Sequence, residues 1–176
     1  MTRIFPPLIL LALLILESTA TDQIPKQWLI GGMQPIPHWV LLFTVLIAIF
    51  YDQDNSIYSL VYAIIFGFLF DFTYTDTLGV YMFTYGLTIF IVLGFKQLLH
   101  PNFIVTFLLG FVAVFFADHL IYAMYYMIGF ADISWSVYLK NRLIPTMLSN
   151  LLFLMIVYPM YRNRLEKWSF EHFTQK

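Results

Sequence analysis

Six apolar runs, near 5–20, 37–51, 57–70, 78–95, 103–128 and 143–161, constrain this chain more than any other feature. They lack the alternation of a membrane barrel strand, and in lipid every backbone N–H and C=O must find a partner within its own segment, so each run is read as a helix. Spanning a hydrocarbon core of about 30 Å takes about 20 residues. Six spans would therefore use about 120 of the 176 residues and leave no extramembrane domain. The polar surface of a soluble domain is missing: 61% of the residues are hydrophobic, 11% are charged, and the mean hydropathy is +0.79. The fold class expected is an all-α integral membrane protein, one polytopic domain built as a bundle of six transmembrane helices. The second and third runs are short, which suggests tilted or partly re-entrant helices.

The breaks are explicit. Gly31-Gly32-Met33-Gln34-Pro35-Ile36-Pro37 closes the first connection, Asp52-Gln53-Asp54-Asn55 makes a polar turn, and residues 96–101 end the fourth run. A net charge of −1 with no basic block excludes nucleic acid as a partner. The absence of cysteine excludes disulfides, thiolate metal sites and cysteine nucleophiles.

Arg3, the run Leu8 to Leu16, and Ser18 with Ala20 have the shape of a secretory signal peptide, whereas Glu17 sits where a retained helix would bury a carboxylate. The pattern alone leaves both readings open. With both termini cytoplasmic, the inside holds six basic residues (Arg3, Lys96, Arg162, Arg164, Lys167, Lys176) and the outside three (Lys26, Lys140, Arg142). That asymmetry supports this topology, with both termini cytoplasmic. The basic, aromatic tail 162–176 is expected to lie on anionic membrane lipid, with a protein-docking helix as the alternative.

On this topology Glu17, Asp71, Asp118 and Arg142 all fall in the outer half of the bundle. Ionisable groups at such depth cost at least ~2–3 kcal/mol near the midplane, so they are usually paired or functional. Arg142 is expected to pair with at least one of the three carboxylates. It shares a helical face with Thr146, Ser149 and Asn150, at i, i+4, i+7 and i+8, with Pro145 expected in the first turn of the sixth span. The stripe fits interhelical glue or a site contacted by a partner or ligand. Gly79, Gly86 and Gly94 are read as one close-packing face of the fourth span. Asp118 and His119 are adjacent, but i and i+1 point in different directions, which argues against a proton relay. The four histidines show no metal spacing, and neither a nucleophile elbow nor a phosphate loop is present. No enzymatic activity and no cofactor are expected.

Two stretches carry a resemblance. The first is Gly67-Phe68, Asp71 and Tyr74 followed by Leu78-Gly79; the second is Asn141-Arg142-Leu143-Ile144-Pro145-Thr146 with Asn150. With the Glu17-Ser18 pair and the six-run layout, they make the chain resemble the bacterial rod shape-determining MreD family along its whole length. The resemblance implies a retained first helix and a non-catalytic scaffold of the cell-elongation and lateral peptidoglycan machinery. Its implied partners are an MreC-type protein, RodA, a class B penicillin-binding protein and MreB. It also implies a fold similar to the S components of vitamin transporters, so a substrate-binding S component is the alternative function. The first span lacks the A-x-x-x-A of those components, having Ala12 followed by Leu16.

If the first helix is retained, mass spectrometry of membrane-extracted protein finds the native N-terminus. A mature form starting at Thr21 contradicts this.

Overall fold

The computed structural model describes residues 2–23, 33–53, 56–130 and 134–174. The expectations placed on Lys26, Gly31, Gly32, Asp54, Asn55 and Lys176 fall outside them. The elements are a 3-10 turn Thr2–Ile4, α1 (Phe5–Gln23), α2 (Trp39–Phe50), α3 (Tyr58–Tyr74), α4 (Val80–Lys96), α5 (Phe103–Met127), a short α6 (Trp135–Tyr138), a π-helical stretch Leu139–Leu143, and α7 (Ile144–Thr174). The described residues are helices and connections throughout.

Every side chain of α2 from Val40 to Phe50 is buried. A helix that is apolar all round has no face to give to water, and α1, α3, α4, α5 and α7 all pack around it. At 1.5 Å per residue its 12 residues reach only about 18 Å, so both of its ends stop inside the bundle. The other helices are amphipathic in an inverted sense. On α1, Leu10, Leu14 and Glu17 stand at i, i+4 and i+7 and are buried, while Leu8, Leu11, Ile15 and Leu16 are exposed. Exposed Phe68, Phe72, Phe90, Phe111, Leu148 and Ile156 extend this apolar exterior around the bundle. Two helical stretches, Phe103–Met127 and Trp135–Thr174, are long and apolar enough to cross a membrane. This composition is consistent with a helical membrane protein.

The α3–α4 pair is the most extensive helix interface, and its closeness depends on Gly67. A Cβ at Gly67 would lie 2.8 Å from the Met82 Cα and 2.8 Å from the Tyr81 carbonyl oxygen, which is backbone that cannot step aside. One turn on, the Asp71 carboxylate accepts hydrogen bonds from Gly79 N (3.0 Å), Tyr81 N (2.9 Å) and Met82 N (2.9 Å). It therefore caps α4 from a neighbouring helix, satisfying N–H groups that no preceding turn can reach. Gly79, at φ +100°, makes the left-handed turn that brings those amides round. The glycine stripe expected on the fourth span does not hold as one face. Gly79 precedes the helix, a Cβ added at Gly86 would lie 3.1 Å from Ile64 Cγ1, and Gly94 has open space where its side chain would be.

Pro145 lies in the first turn of α7, as expected, but α7 does not start afresh. The proline lies ten residues into a continuous helical stretch, just after the π-helical widening. The tail also differs from expectation. Through Thr174 it continues α7, and the spacing of Leu165, Ser169 and His172 turns those residues onto the bundle, where they are buried. Ser169 Oγ donates to the Tyr51 carbonyl (2.7 Å), the Tyr51 hydroxyl meets His172 Nδ1 (2.8 Å), and Phe5 stacks on Trp168 at 5.1 Å. The apolar face of the tail is used by its own chain, while Arg164 and Lys167 stay exposed. In the α2–α3 connection, burial pushes the Asp52 carboxyl above its ordinary range, opposed by hydrogen bonds from Ser59 and Ser56.

Gly67→Ala is expected to lower stability by about 1–3 kcal/mol through overpacking against backbone, and Asp71→Ala by about 1–2 kcal/mol through loss of the cap. Unfolding midpoints in detergent measure both. Wild-type midpoints for the two variants contradict this account of the α3–α4 pair.

Candidate functional site

The polar groups collect where α2 begins. Its first amides have no preceding turn to bond to, and water does not reach them; leaving such a group unpaired costs about 1–3 kcal/mol each. Glu17, only 1% exposed, supplies Oε2 to Val40 N (2.8 Å). Asn150 supplies Oδ1 to His38 N (2.7 Å). The Asn150 side-chain amide also donates to the Ile36 carbonyl (2.7 Å) and to the Thr146 carbonyl (2.8 Å). Ile36 N in turn donates to Thr146 Oγ1 (2.9 Å). Gln34 N donates to the Asn141 carbonyl at 2.6 Å. Pro145 explains why that carbonyl is available: it has no N–H to offer the carbonyl four residues back. The segment 34–38 thus lies along the helical stretch 141–150, its alternate residues Gln34, Ile36 and His38 held by Asn141, Thr146 and Asn150.

A second layer carries the charge. Arg142 Nε bonds Asp118 Oδ1 at 3.2 Å, with Asp118 fully buried and Arg142 21% exposed. The Tyr138 hydroxyl donates to Asp118 Oδ2 (2.8 Å). The buried His38 ring joins the layers: Nδ1 lies 3.1 Å from the Tyr85 hydroxyl, which donates to Glu17 Oε1 at 3.3 Å. Its Nε2 faces Asp118 Oδ1 at 3.7 Å, too long for a hydrogen bond, and has no hydrogen-bond partner among the described residues.

Of the three carboxylates expected around Arg142, the structure brings only Asp118 to it. Glu17 is turned to α2 and Tyr85, and Asp71 to α4. Thr146 and Asn150 share a buried face, whereas Ser149 bonds back to the Thr146 carbonyl at 3.1 Å. His119 points away from Asp118, toward Phe115, Trp135 and Tyr138. Tyr74 is 45% exposed beside Phe70. His38, Tyr85 and Tyr138 were not legible as members. Only the position of His38 between Pro37 and an apolar run hinted at a helix start. Among the described residues no group of three His, Asp or Glu side chains could hold a metal ion.

Chemically this is a set of acceptors and donors matched to backbone ends and to one ion pair. A family model described as "rod shape-determining protein MreD" matches residues 1–167. The chain is also similar to the rod shape-determining protein MreD of Bacillus subtilis (strain 168). The two are 26% identical over 151 residues, covering 86% of each chain. No solved structure matches.

Arg142→Ala is expected to cost about 2–3 kcal/mol, below the ~3–5 kcal/mol of a fully buried pair because the guanidinium keeps some exposure. Adding Asp118→Asn should recover part of the loss, while adding Glu17→Gln or Asp71→Asn should not. Thermal unfolding of the double variants decides, and rescue by Glu17→Gln would mean the pairing is wrong.

Proposed function

The chain belongs to the MreD family of rod shape-determining proteins. On that premise we propose that it is a non-catalytic scaffold of the bacterial cell-elongation machinery that holds an MreC-type partner in the cytoplasmic membrane. Six segments cross the membrane in this reading: α1, α3, α4, α5, the long stretch ending in α7, and the short α2 together with the non-helical residues that flank it within the bundle. The stacking of Phe5 on Trp168 supports it, because it brings the first and last helices together at one end of the bundle. An even number of crossings requires that. The excess of Lys and Arg near that end makes it the cytoplasmic one.

One observation carries the scaffold reading over a catalytic or transport one. The carboxylates and amide of the site are spent on architecture: Glu17, Asp71, Thr146 and Asn150 on backbone amides, and Asp118 on Arg142 and Tyr138, which leaves only His38 Nε2 without a hydrogen bond among the described buried side-chain atoms. What remains on the outside is an apolar surface around the bundle, and a surface of this kind is suited to lipid and to the membrane helix of a partner. RodA, a class B penicillin-binding protein and MreB are further members of the same assembly in this reading.

Depletion of the protein should turn rod-shaped cells round, and photo-crosslinkers at exposed positions such as Phe68 or Leu148 should capture a co-expressed MreC-type protein. Normal cell shape after depletion, together with a small vitamin-like ligand that protects the protein from heat, would overturn the scaffold in favour of an S component.

A further inference from the structure

His38 Nε2, alone among the described buried side-chain nitrogens and oxygens in having no hydrogen bond, stands in a row of polar groups that crosses the bundle. Glu17 Oε1 and the Tyr85 hydroxyl are 3.3 Å apart, the Tyr85 hydroxyl and His38 Nδ1 are 3.1 Å apart, and His38 Nε2 and Asp118 Oδ1 are 3.7 Å apart. Glu17 is 1% exposed and the other three are buried completely. The number of hydrogens in this row follows from its two ends.

At one end Asp118 is ionised, because the Arg142 guanidinium, which stays charged, and the Tyr138 hydroxyl both donate to it. A bare Nε2 would aim its lone pair at that charge in a low-dielectric interior, whereas an N–H there is attracted to it. Nε2 therefore carries a hydrogen. The remaining groups, Nδ1, the Tyr85 oxygen and Glu17 Oε1, are joined across two gaps, and each gap takes one hydrogen. Tyr85 supplies one of the two. The other comes from Nδ1, which makes His38 an imidazolium beside an ionised Glu17, or from Glu17, which makes a neutral carboxyl beside a neutral imidazole. An ionised Glu17 with a neutral His38 would leave two acceptors face to face. Oε2 accepts from Val40 N in both permitted forms.

The other polar groups nearby are engaged or do not titrate. Asp71 on α3 takes amides at the start of α4, Asn150 on α7 holds His38 N, and Tyr81 on α4 packs its ring 5.6 Å from that of Tyr85. We propose that Glu17 and His38 share one proton through Tyr85, forming a buried proton-binding site at the start of α2. The forms interconvert when the Glu17 hydroxyl proton passes to the Tyr85 oxygen while the Tyr85 proton passes to His38 Nδ1, and the reverse shift returns both. With one shared proton Glu17 and His38 together carry no net charge, and Asp118 balances Arg142. Without it the bundle holds one uncompensated negative charge, and with a second proton one positive charge, each costly to bury. The proposal does not depend on the scaffold reading.

The test reads both ends of the shared proton in the full chain at about pH 7, just above the ordinary histidine range. Nitrogen-15 NMR of histidine-labelled protein reports the His38 ring, assigned with His38→Gln, and infrared spectroscopy reports the protonated-carboxyl band of Glu17, assigned as the band lost in Glu17→Gln. The expected result is either an imidazolium without the band, or a neutral ring with its hydrogen on Nε2 together with the band. A neutral ring without the band, a ring with its hydrogen on Nδ1 alone, or an imidazolium together with the band overturns the proposal. Glu17→Gln supplies a second readout, since its amide oxygen still accepts from Val40 and its NH2 group donates to Tyr85 without any titrating proton. The folded wild type holds one proton more than the unfolded chain above about pH 6.5, so its unfolding constant should rise with pH relative to that of Glu17→Gln, by up to about tenfold per pH unit. Parallel profiles for the two proteins overturn the proposal. If Glu17→Gln does not fold, the His38 ring of the wild type still decides, with carbon-13 labelling of glutamate identifying the carboxyl band.

Discussion

A helix that ends inside a bundle leaves amides and carbonyls that neither water nor its own turns can satisfy, and α2 does this at both ends. Its apolar sequence sends it to the centre, and its 12 residues are too few to reach either surface. The ends must then be completed by other helices. Glu17 reaches in from α1 and Asn150 from α7 at the start of α2. Ser169 reaches in from the far part of α7 at its end, bonding the Tyr51 carbonyl. Long α7 is thereby fastened to short α2 at both ends, some nineteen residues apart on its own length. The buried polar groups belong to this arrangement and are not exceptions to an apolar core.

The two motifs that carry the family resemblance express the same constraint. Gly67 lets α4 approach, Asp71 receives its first amides, and Gly79 turns the chain so that those amides point at the carboxylate. In the second motif Pro145 withholds an N–H so that the Asn141 carbonyl can take Gln34, and Thr146 and Asn150 hold Ile36 and His38. Arg142 and Asp118 close the layer over them. In each of these bonds a side chain specifies the register of a neighbouring helix, which is the fixed arrangement that the proposed scaffold would need.

The sequence made the six helical segments legible because apolar runs and their Gly, Pro and Asp breaks are local signals. It also put Arg142, Thr146 and Asn150 on one face, since that follows from helical spacing alone. The partners of Glu17 and Asp71 were not legible. A carboxylate that completes another helix and one that pairs with a guanidinium look alike along the chain, and only the shortness of α2 relative to its neighbours decides between them. Tyr85, Tyr138 and His38 were hidden in aromatic runs whose ordinary use is packing. The tail read as a surface element because its charges dominate its composition. Its buried Leu165, Ser169 and His172 occupy a single face that composition cannot separate from the rest.

Hydrogen–deuterium exchange across residues 34–50 tests most directly whether remote side chains complete α2. In the intact protein these amides should exchange slowly despite lying at and beyond a helix start, and Glu17→Ala together with Asn150→Ala should speed exchange there while α3 and α4 stay protected. Fast exchange of this segment in the unaltered protein, or an even rise over all helices in the variant, would contradict the account.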